Sequence, residues 1–143
     1  MPMGRCANGG HSRGMSEPVA PVKVFLADDS TLIRVRVARM LRDCDMVVVG
    51  QAQTPQGAID GILAAHPDVV VLDVQLEGGS GLQVLQTVRK LDPHVAFVVF
   101  SNNAGPAYRK RYIKEGALSF LDKSREFGQL ATAVAQAAVP AGH

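Results

Sequence analysis

Three carboxylates, an amine and a hydroxyl stand at the ends of apolar runs in a chain of 143 residues. Asp28 and Asp29 follow Val22–Ala27, Asp73 follows Val69–Leu72, Ser101 follows Val95–Phe100, and Lys123 follows Leu118–Leu121 with only Asp122 between. Such runs read as buried strands. In a parallel sheet all strand C-termini face one way, and ligands bind in the crevice outside them. Groups far apart in sequence would therefore converge. Two carboxylates about 5 Å apart repel by roughly 3 kcal/mol at an effective dielectric near 20, so three of them need a counter-charge. A hard divalent cation supplies it, and Mg2+, which prefers carboxylate and water oxygens, is the expected cofactor. Asp73 has a separate task. It stands alone before a loop containing Gly78, Gly79 and Gly81, which tolerates unusual backbone angles and leaves the carboxylate open to phosphate. Carboxylates accept phosphoryl groups as acyl phosphates. A metal and Lys123 would neutralise the transferring oxygens, which is most of what phosphoryl transfer requires of a protein. The Ser101 hydroxyl can donate a hydrogen bond to the phosphoryl group.

Positioning these groups needs strands that alternate with helices, and the chain provides both. Ser30 can cap a helix whose apolar positions Ile33, Val37, Met40 and Leu41 recur at helical spacing. Met46–Ala52 reads as a second strand. Thr54 followed by Pro55 is a helix start, with Ile59, Ile62 and Leu63 lining the helix until His66-Pro67 ends it. A third helix spans about Leu82 to Leu91 with Val84, Leu85, Val88 and Leu91 inward, and a fourth spans about Ala107–Glu115, closed by Gly116. The last helix carries Phe127, Leu130, Ala131, Val134 and Ala138 on one face. Strands separated by short helical segments predict right-handed crossovers and an α/β fold. The expectation is a doubly wound five-stranded parallel sheet, flavodoxin-like (βα)5, with strand order 2-1-3-4-5.

Composition narrows the function classes. With 47% hydrophobic and 20% charged residues the chain is ordinary for a soluble protein. Its longest apolar run, Val95–Phe100, is far short of the ~20 residues that span a bilayer, so no membrane role is expected. A net charge of +2 gives no reason to expect nucleic acid. Arg109, Lys110, Arg111 and Lys114 form a local basic segment, read as a solvated helix face or a partner-docking surface. Cys6 and Cys44 read as a tail residue and a small helix-end residue, not as a disulfide framework or metal cluster. His66 and His94 adjoin prolines in turns and do not resemble a phosphotransfer helix. Residues 1–20 are expected to be a disordered tail, with Met15 offering a second start, and residues 21–143 a single domain. Cytoplasm is the expected compartment.

At this point the chain resembles the receiver domains of two-component response regulators over about residues 22–139. The likeness lies in Val22–Ser30, Pro67–Asp73, Gly81-Leu82, Ser101-Asn102 and Gly116–Lys123, all in order. The resemblance implies that Asp73 is the phosphorylated aspartate and Asp29 a direct Mg2+ ligand, with Asp28 acting partly through water. It implies that the backbone carbonyl of Gln75 completes the metal ligands. It further implies that Ser101 moves toward the phosphoryl group, Phe120 rotates inward behind it, and Lys123 pairs with the phosphate. In such domains the change alters the surface of the fourth helix, fifth strand and fifth helix. The sequence departs from the family at Leu76-Glu77 in the loop, Asn102 after the switch hydroxyl, Phe120 in place of tyrosine, and Ser124 in place of proline.

The reading is a stand-alone receiver resembling the chemotaxis response regulator. It is a phosphorylation-controlled binding switch and not an enzyme beyond self-phosphorylation from small donors and autodephosphorylation. Its expected partners are a histidine kinase or histidine phosphotransfer protein and an unknown downstream protein, with a phosphorylation-dependent dimer open. The alternatives are a pseudo-receiver scaffold, a receiver fragment of a larger transcriptional regulator, and an aspartate-nucleophile phosphatase. The last needs a second acid two residues after the nucleophile, where this chain has Gln75.

Overall fold

The computed structural model of the protein describes residues 20–139, so Cys6 and nearly all of the N-terminal tail lie outside the described residues. The chain alternates β1 (Lys23–Ala27), α1 (Thr31–Asp43), β2 (Val47–Ala52), α2 (Pro55–Ala65) and β3 (Val69–Leu72). A two-residue hairpin follows, β4 (Gln75–Leu76) and β5 (Gly79–Ser80), and then α3 (Gly81–Leu91), β6 (Ala96–Ser101) and α4 (Pro106–Lys114). The described chain closes with β7 (Ser119–Asp122), a 3-10 turn at Phe127–Gln129 and α5 (Leu130–Ala137). Five strands form one parallel sheet in the order β2-β1-β3-β6-β7, which is the expected 2-1-3-4-5 once the hairpin is set aside.

The central strands β3 and β6 read as unbroken apolar runs because both sheet faces are covered there. Phe25, Val70, Phe97, Val99 and Phe120 point to the face that α2, α3 and α4 cover, where they meet Ile62, Val84, Leu85 and Tyr112. Their neighbours Val24, Leu26, Val69, Val71, Val98, Phe100 and Leu121 point to the other face, against Val37, Leu41, Leu130 and Val134 of α1 and α5. The period-two alternation of strand side chains thus builds two cores from one sheet.

Helix starts follow local chemistry. The Ser30 hydroxyl accepts from the Ile33 N–H at 3.2 Å, and the Thr54 hydroxyl from the Gly57 N–H at 3.1 Å, each satisfying a donor the helix leaves open. His66 takes the left-handed conformation (φ 50°) at the end of α2. Cys44 sits at the C-cap of α1.

Two apolar positions differ from expectation. Leu91 has the spacing of an inward residue but is 64% exposed, because it is the final residue of α3, one turn past the buried Val88. Leu118 is 61% exposed and precedes β7, its N–H donating to the Phe97 carbonyl at the strand's entry. The hairpin after Asp73 was unforeseen. Gly78 takes φ 85° at its turn, and the Glu77 N–H donates to the Gln53 carbonyl at 2.9 Å, fastening the loop beside the end of β2.

Candidate functional site at the strand C-termini

Each candidate residue reaches the site because a strand ends there. The Asp73 N–H donates to the Ala27 carbonyl at 2.9 Å, which levels the ends of β3 and β1. The Lys123 N–H donates to the Ser101 carbonyl at 3.0 Å, which does the same for β7 and β6. Asp28 begins the β1–α1 connection. Its N–H donates to the Ala52 carbonyl, and its Oδ1 accepts from the Ser30 N–H at 2.9 Å.

The side chains then meet. Lys123 Nζ lies 2.7 Å from Asp28 Oδ2 and 3.0 Å from Asp73 Oδ2, and all three side chains are buried. Carboxylate oxygens of Asp28, Asp29 and Asp73 lie within 4.8 Å of one another, with Asp29 exposed at the mouth. Ser101 is fully buried at the end of β6, its hydroxyl accepting from the Asn103 N–H at 3.0 Å. Gln75 is exposed, its N–H 3.5 Å from Asp73 Oδ1. Phe120 faces inward at 3% exposure, edge-on to Tyr112 with ring centroids 5.9 Å apart.

Electrostatics at the site are unbalanced. Burial pushes the Asp28 carboxyl up from the ordinary range, only partly offset by its hydrogen bonds to Lys123 and Ser30, and the charge of Asp73 pushes it further. Burial works against the Lys123 charge, yet its bonds to Asp28 and the two nearby carboxylates together hold the amine above its ordinary range. Among the described residues one ammonium faces three carboxylates. The donor set is all hard oxygen and carries surplus negative charge, and so fits a hard divalent cation.

Gly81 holds the loop in place. A Cβ there would overlap the carbonyl oxygen of Asp73, and the Gly81 N–H donates to the Val74 carbonyl at 2.7 Å. Gly81→Ala should therefore destabilise the protein by about 2 kcal/mol through backbone displacement, read as a lowered thermal midpoint.

Several contributors were not found by sequence reading. Arg34 Nη1 donates to the Asp28 carbonyl, buttressing the acidic loop from the first turn of α1. Asn103 Nδ2 reaches Gln75 Oε1 at 3.4 Å across the mouth. Arg109 Nη1 donates to the Phe120 carbonyl at 2.6 Å, with its guanidinium 5.1 Å from the Phe120 ring centroid. Helical spacing from Ser30 could have flagged Arg34. Nothing in the sequence pointed to the others. At the positions that depart from the family, Leu76 in the loop is buried, Asn102 after β6 is exposed, and Ser124 after β7 bonds Asp122 Oδ1 through both its N–H and its hydroxyl.

Comparison with known proteins places this geometry. A family model described as the response regulator receiver domain matches residues 24–135. The transcriptional regulatory protein YvfU of Bacillus subtilis is 31% identical over 114 residues, which are 79% of this chain and 57% of that protein. A protein-glutamate methylesterase/protein-glutamine glutaminase 1 of Dechloromonas aromatica is 36% identical over 112 residues, 76% of this chain and 32% of the enzyme. The chain thus spans about half the length of YvfU and a third of the methylesterase. Among solved structures, the signal receiver domain of NarL from Mycobacterium tuberculosis has a TM-score of 0.77 at 32% identity, covering 82% of this chain and 96% of that one. The receiver domain of Thermotoga maritima CheB, at 24% identity and a TM-score of 0.75, shares the fold. The family match runs from the first core strand into the last helix, and on it the chain belongs to the response regulator receiver domains of two-component systems.

Proposed function

We propose that this receiver accepts a phosphoryl group on Asp73 from a histidine kinase or histidine phosphotransfer protein and thereby switches partner binding through the face of α4, β7 and α5. The observation that carries the reading is the Lys123 amine lying within 3.0 Å of Asp73 Oδ2 beside two further carboxylates. An Asp73 carboxylate oxygen attacks phosphorus as the bond to the donor breaks, the leaving group takes the electron pair, and an acyl phosphate results. Asp28, Asp29, Asp73 and the Gln75 carbonyl would hold Mg2+, which supplies charge neutralisation for the phosphoryl oxygens. Lys123 neutralises the same oxygens from the protein side, and Ser101 donates to one of them. Phe120, buried on the strand beside that of Ser101, is the aromatic that would move behind the hydroxyl when the switch is thrown.

Incubation with acetyl phosphate and Mg2+ should add one phosphoryl group by intact mass spectrometry, and a chelator should prevent it. An unchanged mass under both conditions would overturn the reading in favour of a scaffold. A second reading has its own support. The chain covers about half of its regulator relatives, which fits a receiver belonging to a longer transcriptional regulator. Either way the receiver itself is read as contacting protein, not nucleic acid or membrane. Among the described residues no helix is long and apolar enough to cross a bilayer, and the proposed compartment is the cytoplasm.

A further inference from the structure

Tyr112 is a buried tyrosine on α4, the helix that otherwise presents Tyr108, Lys110, Arg111 and Ile113 to solvent. Its side chain leaves that helix, crosses beneath the loop after Asp73, and ends with the hydroxyl 3.4 Å from the Val74 carbonyl. Burial pushes its phenol up to about 12, so it remains a neutral O–H donor at physiological pH, with the Leu82 N–H facing its oxygen from the start of α3. The Val74 carbonyl also accepts from the Gly81 N–H at 2.7 Å. That carbonyl and the Gln75 N–H belong to one planar peptide unit and point in opposite directions. The N–H end is the group that faces Asp73 Oδ1 at 3.5 Å.

We propose that Tyr112 is a positioning residue for Asp73, acting through the Val74–Gln75 peptide. By holding the carbonyl end, the phenol aims the amide end at the carboxylate. Accepting hydrogen bonds at the oxygen also polarises the peptide and strengthens its N–H as a donor. The inference rests on Asp73 being the phosphoacceptor. Its consequence is a direct mechanical tie between α4 and the reactive carboxylate that runs through the backbone after Asp73. Arg109, one turn earlier, ties α4 to β7 by donating to the Phe120 carbonyl. Displacement of α4 by a bound partner would slacken the hold on Asp73, and by linkage any change at Asp73 would be felt at α4.

The test is Tyr112→Phe, which keeps the ring against Phe120 and removes only the hydroxyl. In nitrogen-15 correlation spectra the Gln75 amide proton should move upfield and exchange faster, while the Val70 and Phe97 amides stay in place. Phosphorylation by acetyl phosphate should slow by about threefold, the size expected for one long hydrogen bond. Lys90→Ala, on the exposed last turn of α3, should alter neither readout. Incorporation of 3-fluorotyrosine makes the phenol a stronger donor and should shift the Gln75 amide the opposite way, a measurement that needs no folded Tyr112→Phe protein. An unmoved Gln75 amide in both would overturn the proposal. A wild-type protein that takes up no phosphate would instead remove the phosphoacceptor reading and leave the Tyr112–Gln75 link to be judged by the amide shifts alone.

Discussion

An Asp73→Asn protein is expected to take up no phosphoryl group from acetyl phosphate while folding as well as the wild type. The loss follows from chemistry, because a carboxamide is no nucleophile for phosphorus and neither Asp28 nor Asp29 ends the central strand before the open loop. The unchanged stability follows from opposing terms. Asparagine gives up the 3.0 Å pair with Lys123 but also removes a carboxylate whose charge raises the Asp28 pKa. At an effective dielectric near 20 the 3.0 Å attraction to Lys123 is about 5.5 kcal/mol, while the repulsion from Asp28 within 4.8 Å is about 3.5 kcal/mol and that from the exposed Asp29 is smaller, so the opposing terms largely cancel. Lys123 keeps Asp28 at 2.7 Å. Thermal unfolding should therefore show a shift worth less than about 1 kcal/mol, and Asp28 should titrate lower than in the wild type. Residual phosphoryl uptake at the wild-type rate would mean that another group is the acceptor.

Lys123→Met should have the largest effect on stability. The amine is the single ammonium in salt-bridge range of Asp28 and Asp73 among the described residues. Methionine would leave two buried carboxylates beside a third with no counter-charge. Removing one partner of a buried pair costs several kcal/mol; about 3 kcal/mol is expected here, since Asp29 keeps the mouth wet. Added Mg2+ should restore much of that loss, because a ligand bound only by the folded state stabilises it by mass action. Phosphoryl uptake should fall sharply even with Mg2+ present, as one neutralising charge is gone. The pH dependence has a definite sign. The folded pKa of Lys123 lies above its ordinary 10.5, so its contribution is complete below that value and is lost as pH rises through the raised one. Wild-type stability should fall more steeply above pH 10.5 than that of the variant. A chelated Lys123→Met protein as stable as the wild type would show that the carboxylates are not held charged at neutral pH.

Much of this protein can be read along the chain because its signals are local. Val69–Leu72 declares a strand buried on both faces by having no polar alternation, and that strand is central. Ser30 and Thr54 declare helix starts because a side-chain oxygen and a backbone N–H three residues on suffice to make a cap. The convergence of Asp28, Asp29, Asp73, Ser101 and Lys123 follows from the rule that parallel strands end together, with no knowledge of distances.

What folding alone decided are contacts whose partners carry no mutual sequence signal. Tyr112 lies in a basic segment that reads as a solvated face, yet one side chain of that helix turns inward to the loop after Asp73, 38 residues away. Arg109 belongs to the same segment and caps Phe120. Leu91 has the spacing of a core residue and is exposed, because periodicity states which way a side chain points but not where the opposing surface ends. The order of elements and the chemical groups at their ends are legible along the chain, since both arise from near neighbours and strand direction. How tightly those groups are held emerges on folding, because it depends on side chains from distant helices meeting a particular peptide.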